Sequence, residues 1–166
     1  MQIGDSMKGL IIILKNNEIR LAHLCQSNLT YNDMGIILTD QLSSIIKDKI
    51  YGSFKLMVDT LTFNNIHPAL PQSSDNIINL ILSGSTSFNN DIDYIESVYL
   101  DYSYIINLDD NKITLISKHK TDYRLPLYRI GKMIATDLKF IRSFNINSAI
   151  DKNFKKFIQL QLEGIL

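Results

Sequence analysis

The chain has no tryptophan, one cysteine and three prolines in 166 residues. A lone cysteine, Cys25, cannot close an internal disulfide, so nothing here requires an oxidising compartment. The longest purely apolar run, Leu10 to Leu14, is far too short to span a bilayer. The amino terminus lacks a basic region followed by an apolar segment and a small-residue cleavage site, so no signal peptide is read. The expected compartment is the cytoplasm. Motifs are missing as well: there is no C-x-x-C, H-x-x-x-H, G-x-x-x-x-G-K-[ST], G-x-G-x-x-G or G-x-S-x-G. No cofactor and no metal is therefore expected, and nothing marks the chain as an enzyme.

What is present points to a globular protein. Hydrophobic residues make up 45% and charged residues 20%, which is too apolar for a disordered chain. The length suits one domain spanning 1–166, with room for a substantial core. Isoleucine (27) and asparagine (15) are abundant, and lysine outnumbers arginine 13 to 4. That bias fits an AT-rich coding sequence, as in many bacteria and phages.

The best-specified element is a hairpin from Val98 to Lys118. Val98, Leu100, Tyr102, Tyr104, Ile106 and Leu108 share one face at the period of a half-buried strand. Asp109, Asp110 and Asn111 tolerate left-handed turn geometry, and Ile113 and Leu115 resume the alternation. An earlier hairpin spans Met7 to Gln26, with Gly9–Leu14 as a buried strand and Asn16-Asn17 as its turn. Asn32 or Asp33 is placed to cap a long helix whose apolar stripe runs from Leu38 through Leu42, Ile45, Ile46, Ile50, Phe54, Met57 and Val58 to Leu61. Gly52 is placed to bend or split it. Phe63 to Ser74 and Gly84 to Asn90 read as loops, and Asp75 to Ser83 as a short helix. Arg124 to Ala135 and Leu138 to Phe144 read as strands, with a helix over Arg129 to Phe140 as the alternative. Ser148 is placed to cap a final helix with Phe154, Phe157, Ile158 and Leu162 on its apolar side. The expected fold class is α+β, an antiparallel sheet of about five to six strands packed by a long helix and a carboxy-terminal helix.

Zero net charge hides a segregation. Residues 56 to 111 hold eight acids and no lysine or arginine. Residues 112 to 166 hold eleven basic residues against four acidic ones. Such blocks either neutralise each other in the fold or form opposed patches that steer charged partners.

The candidate sites follow from this. Asp91, Asp93, Glu96 and Asp101 would anchor a basic protein partner. Lys118, Lys120, Arg124, Arg129 and Lys132, with Tyr123 and Tyr128 interleaved, would form a nucleic-acid stripe. Tyr102 and Tyr104 lie on the more apolar face, so core packing is their expected role rather than base stacking. His23 and Cys25, two apart on a strand, point to one face, but zinc needs three or four ligands. With His119 as a base brought close in space, Cys25 could also serve as a nucleophile. Asp109-Asp110-Asn111 lacks the glycine and terminal glutamate of a calcium loop, and a turn accounts for it better.

The segment from Ile92 to Ile116 resembles the late hairpin of an uncharacterised group of small phage and bacterial proteins, with its Tyr-x-Tyr-x-Ile-[Asn/Asp]-Leu-Asp strand and short apolar return. Lys8-Gly9-Leu10-Ile11, then His23, then a helix from Asp33 follow the group's order, and Phe140 to Ile146 resembles its later strand. The group's Gly-Thr-Arg-Gly start and its aromatic-Asp-x-Tyr-Pro run are missing here. The resemblance implies an order of elements and no reaction.

The functional expectation is a non-enzymatic inhibitor, an immunity protein that neutralises a toxin or nuclease by covering its basic surface. The alternatives are a nucleic-acid-binding module using the basic 112–142 segment, and a cysteine-dependent hydrolase around Cys25.

Overall fold

The computed structural model describes residues 9–25, 30–64, 77–89, 91, 102–117 and 140–162. Two hairpins form its frame. Strands β1 (Gly9–Lys15) and β2 (Glu18–Cys25) are joined by Asn16 and Asn17, both left-handed at φ 56° and 60°. Two consecutive left-handed residues are what a two-residue hairpin turn demands, and asparagine tolerates that region better than most side chains. Strands β5 (Tyr102–Asn107) and β6 (Lys112–Ser117) are joined by a longer turn in which Asn111 alone is left-handed, at φ 54°. Asn107 Oδ1 accepts from the amides of Asp109 and Asp110, which fixes the chain's entry into that turn.

The main sheet has the order β2-β1-β5-β6-β7, with β7 at Phe140–Asn145. Its neighbours are antiparallel except β1 and β5, which run parallel from Ile11–Tyr104 to Leu14–Asn107. The fold is α+β and mostly antiparallel. The parallel seam was not expected from sequence. It arises because a long helical segment lies between the hairpins, and a crossover of that length can return the chain in the same direction. The apolar run of β1 fits its central place, since Leu10, Ile11, Ile12 and Ile13 are all fully buried and so both faces of the strand are covered.

One sheet face carries the larger core. Ile11, Ile13, Leu21, Tyr104, Ile106, Ile113 and Leu115 meet residues of four helices there. The helices are α1 (Ile36–Lys47), α2 (Tyr51–Val58), α3 (Ile77–Leu82) and α4 (Ile150–Leu162). Tyr104 is fully buried, as the apolar face predicts.

The long helix is two helices. α1 is closed just past its last residue by Lys49, which is left-handed at φ 59°; the amide of Lys49 donates to Ile46 O and that of Ile50 to Ile45 O. These paired bonds close a helix end through a left-handed residue, a place usually taken by glycine. The break therefore falls three residues before Gly52, which sits inside α2. Before α1 the chain makes one π-helical turn, Tyr31–Gly35. Asp33 accepts from the Thr30 hydroxyl there, and the first residue before α1 is Gly35, with no side-chain cap. At the other end Asn147 Oδ1 accepts from the amide of Ala149 and so closes the turn that enters α4. Two expected loops contain a short parallel pair, β3 (Thr62–Asn64) with β4 (Ser87–Asn89). The readings over 65–76, 92–101 and 118–139 lie outside the described residues.

α1 and α4 pack closely through small and polar side chains. Ser43 donates to Ser148 O at 2.9 Å and lies 3.1 Å from Asp151 Oδ1, while Lys155 pairs with Asp40 at 3.2 Å. Phe154 is fully buried, with Phe144 and Phe157 ring centroids 5.4 and 5.9 Å away. A Cβ built on Gly35 would run into Phe154, coming 2.8 Å from Cε2. The phenyl ring is fully buried, whereas a Cβ on Gly52 meets nothing within 4 Å. Two glycine-to-alanine changes should thus have opposite signs. Gly35→Ala is expected to destabilise by about 1–3 kcal/mol through overpacking. Gly52→Ala is expected to stabilise by up to about 1 kcal/mol through helix propensity. Urea denaturation of both variants checks this, and a neutral Gly35→Ala would overturn the close approach.

Candidate functional site

A polar cluster sits where the two hairpin tips meet α2. Three remote stretches build it: 15–20, 51–61 and 107–111. Asp109 links the tips. Its Oδ1 accepts from the Asn16 amide at 2.8 Å and its Oδ2 from the Asn17 amide at 2.9 Å. The amides of Asn17 and Asn16 hold this carboxyl below its usual range, helped by the charges of Lys15 and Lys55. The turn needs both asparagines left-handed, and that geometry turns the two successive amides toward one anion.

The cations of the first hairpin point inward, onto the carboxy-terminal end of α2. Lys15 Nζ donates to Lys55 O at 2.8 Å and pairs with Asp59 at 2.6 Å. Arg20 donates to the carbonyls of Asp59 at 2.8 Å, Leu61 at 3.2 Å and Val58 at 3.4 Å. Helix carbonyls in the last turn lack intrahelical donors and carry the negative end of the dipole, so cations suit them. Arg20 reaches them because β2 bulges there: Ile13 faces Leu21 while Leu14 faces Ile19. Asn111 ties the second hairpin to the same helix, accepting from the Tyr51 hydroxyl at 2.7 Å and from Lys55 Nζ at 3.3 Å. Burial pushes the Tyr51 hydroxyl up to about 12, so it stays a neutral donor.

The consequence is a division of charge. Lys15 and Arg20 side chains are 13% and 23% exposed, whereas their partners Asp59 and Glu18 are 40% and 69% exposed. Asp109 and Asp110 are exposed too. At this end Glu18, Asp59, Asp109 and Asp110 face solvent while Lys15 and Arg20 are tucked beneath; Lys112, next to the second turn, is exposed.

The residues singled out from sequence are placed as follows. Asp91 lies against the edge strand: its Oδ2 accepts from the Leu24 amide at 2.8 Å and its own amide donates to Ala22 O at 3.0 Å. It covers backbone groups that an edge strand would otherwise leave open. Asp93, Glu96 and Asp101 lie outside the described residues, as do Lys118, Lys120, Arg124, Arg129 and Lys132. His67 and His119 lie outside them too. His23 and Cys25 are 2% and 1% exposed, with the Cys25 thiol 3.7 Å from His23 O. A thiol inside the core cannot touch a substrate, which removes the support for a hydrolase around Cys25. Among the described residues no three metal-ligating side chains come together, and no helix is long and apolar enough to cross a membrane.

Glu18 and Asp59 were missed as members of one surface, because they are 41 positions apart and belong to different composition blocks. A signal existed in part: the Asn16-Asn17 turn places Lys15 and Glu18 at the same tip. Nothing local says that α2 ends there. Comparison with protein-family models, curated proteins and solved structures finds no match.

Two variants test the cluster. Asp109→Asn removes one acceptor and faces an amide NH2 toward a backbone N–H. With a lowered folded pKa, the stabilisation is present above the unfolded carboxylate range and is lost as pH falls through the folded value. The wild type should exceed Asp109→Asn by about 1 kcal/mol above about pH 5, with the gap closing as pH falls below about 4. Thermal melts from neutral to acid pH read this, and a gap that widens in acid would overturn it. Arg20→Met should cost about 1–2 kcal/mol, and Arg20→Lys should not restore it, since a point ammonium cannot serve three spread carbonyls.

Proposed function

We propose that the protein is a non-enzymatic binding protein of the immunity type, acting in a bacterial or phage-infected cytoplasm. It neutralises a toxin or nuclease by covering a basic surface of that partner. One observation carries the reading: at the hairpin-tip end, Glu18, Asp59, Asp109 and Asp110 face solvent while Lys15 and Arg20 are turned inward. Such an end attracts a basic surface at long range and rejects like-charged ones. Glu18, Asp59 and Asp110 supply contacts, and Asp109 adds to the field. Asp93, Glu96 and Asp101 belong to the proposal on sequence grounds alone, and Asp91 is tied to β2 at Ala22 and Leu24, away from the tips.

The experiment is capture from source-cell lysate with the tagged chain, washed at low and at high salt, beside a Glu18→Lys/Asp110→Lys variant. A single stoichiometric protein is expected on the wild type and at least about tenfold less on the variant, since facing like charges costs affinity. Capture unchanged by the charge reversal would overturn the reading. Nucleic acid eluting as salt rises would instead assign binding to the basic 112–142 segment.

A further inference from the structure

Resting on that reading, we propose that the outer ridge of α2 is the apolar anchor of the same docking surface. The occupant it fits is a basic protein surface that offers an aliphatic cleft among its lysines and arginines. Ile50, Ser53, Leu56 and Asp59 follow at three-residue spacing, and all four are exposed. Side chains at that spacing stand in a row along a helix and pack as a ridge. Leu56 is 67% exposed and Ile50 37%, and these are the two large exposed hydrophobic residues among those described. Single exposed leucines are ordinary. Here both such side chains fall on one ridge, and the space beside it is open at Gly52.

The inner side of α2 explains why the ridge is left outside. Phe54 and Val58 point into the core and are fully buried, and Tyr51 and Lys55 turn to the hairpin tips through Asn111. Lys55 also lies 5.0 Å from the Tyr51 ring centroid, so its charge is directed along the cluster and away from the ridge. The ridge ends at Asp59, whose carbonyl holds the Arg20 that pairs with Glu18. An apolar strip thus runs into the carboxylate end, the centre-and-rim pattern of protein interfaces. The exposed Lys49 stands beside Ile50 at the opposite end of the ridge, and Lys47 and Lys112 are exposed as well. The acids specify the occupant's charge: an anionic lipid surface or a nucleic acid would meet repulsion at Asp59, Glu18, Asp109 and Asp110.

The test is an amide-shift titration of the isotope-labelled full chain. The probes are an amphipathic helical peptide of lysine and leucine, and polylysine of equal charge. The amphipathic peptide is expected to bind about tenfold more tightly, the value of burying one largely exposed leucine. Its shifts should gather at residues 50–59, 16–18 and 109–110. Leu56→Ser should abolish the difference between the probes while leaving polylysine binding unchanged. Equal affinity for both probes, an unaltered difference in Leu56→Ser, or shifts confined elsewhere would each overturn the ridge. Shifts as expected, with no protein captured from lysate, would keep the ridge and remove the inhibitor reading.

Discussion

Everything at the hairpin-tip end depends on the Asp109 carboxylate bridging two successive amides of the other turn. The two hairpins meet along the parallel β1–β5 seam, which by itself could slide. Several bonds stop it: Asp109 at the tips, the Leu108 amide on Leu14 O beside them, and the Leu10 amide on Ser103 Oγ at the far end. Register matters here because a one-residue slip would turn Ile11 and Ile13 away from the helices and bring Leu10 and Ile12 toward them. Both sets are fully buried, so hydrophobicity alone would choose weakly between them. The polar clasp supplies the choice that the apolar run of β1 leaves open.

With the tips level, α2 has one place to end. Its last carbonyls meet Lys15 and Arg20, and the bulge at Arg20 is what carries that side chain out of the strand's regular alternation. The helix therefore draws Lys15 and Arg20 under itself. The acids of the hairpin are left outside as a result of the same contacts that hold α2. Fold and surface charge are one arrangement, so Arg20 is a positioning residue for Glu18 and for the end of α2 alike.

Much of this was legible in the sequence, and the failures share a cause. Over the described residues, both hairpins, the Asn16-Asn17 turn, the buried β1 run and the Phe154, Phe157 and Ile158 stripe of α4 rest on local periodicity or turn chemistry, and they are where the sequence places them. The helix break was displaced from Gly52 to Lys49 because closing bonds and the burial of Phe54 and Val58 favoured a left-handed lysine over a bend at glycine. β3 and β4 contribute one phenylalanine each to a three-residue strand, too little for alternation to register. The parallel seam joins residues about ninety positions apart, and no local pattern encodes it. The candidate site was hidden for the same reason. The acidic block suggested a stretch of chain, whereas the described carboxylate end takes Glu18 from one hairpin, Asp59 from a helix end and Asp109 and Asp110 from the second hairpin.

The carboxylates of this end differ in what they can offer a partner. Asp109 has given both oxygens to backbone amides, so it contributes charge without a mobile side chain and is held in its ionised form by those bonds. Glu18 at 69% exposure keeps most of its surface for contact, and Asp59 shares its charge with Lys15. A fixed, clasped carboxylate acts through its field and favours encounter. A loosely paired one can exchange a weak internal ion pair for an intermolecular one, at the small cost that surface pairs carry. A surface built this way separates attraction from attachment, and it places both beside the exposed ridge of α2, where burial of Ile50 and Leu56 could supply affinity that salt does not screen.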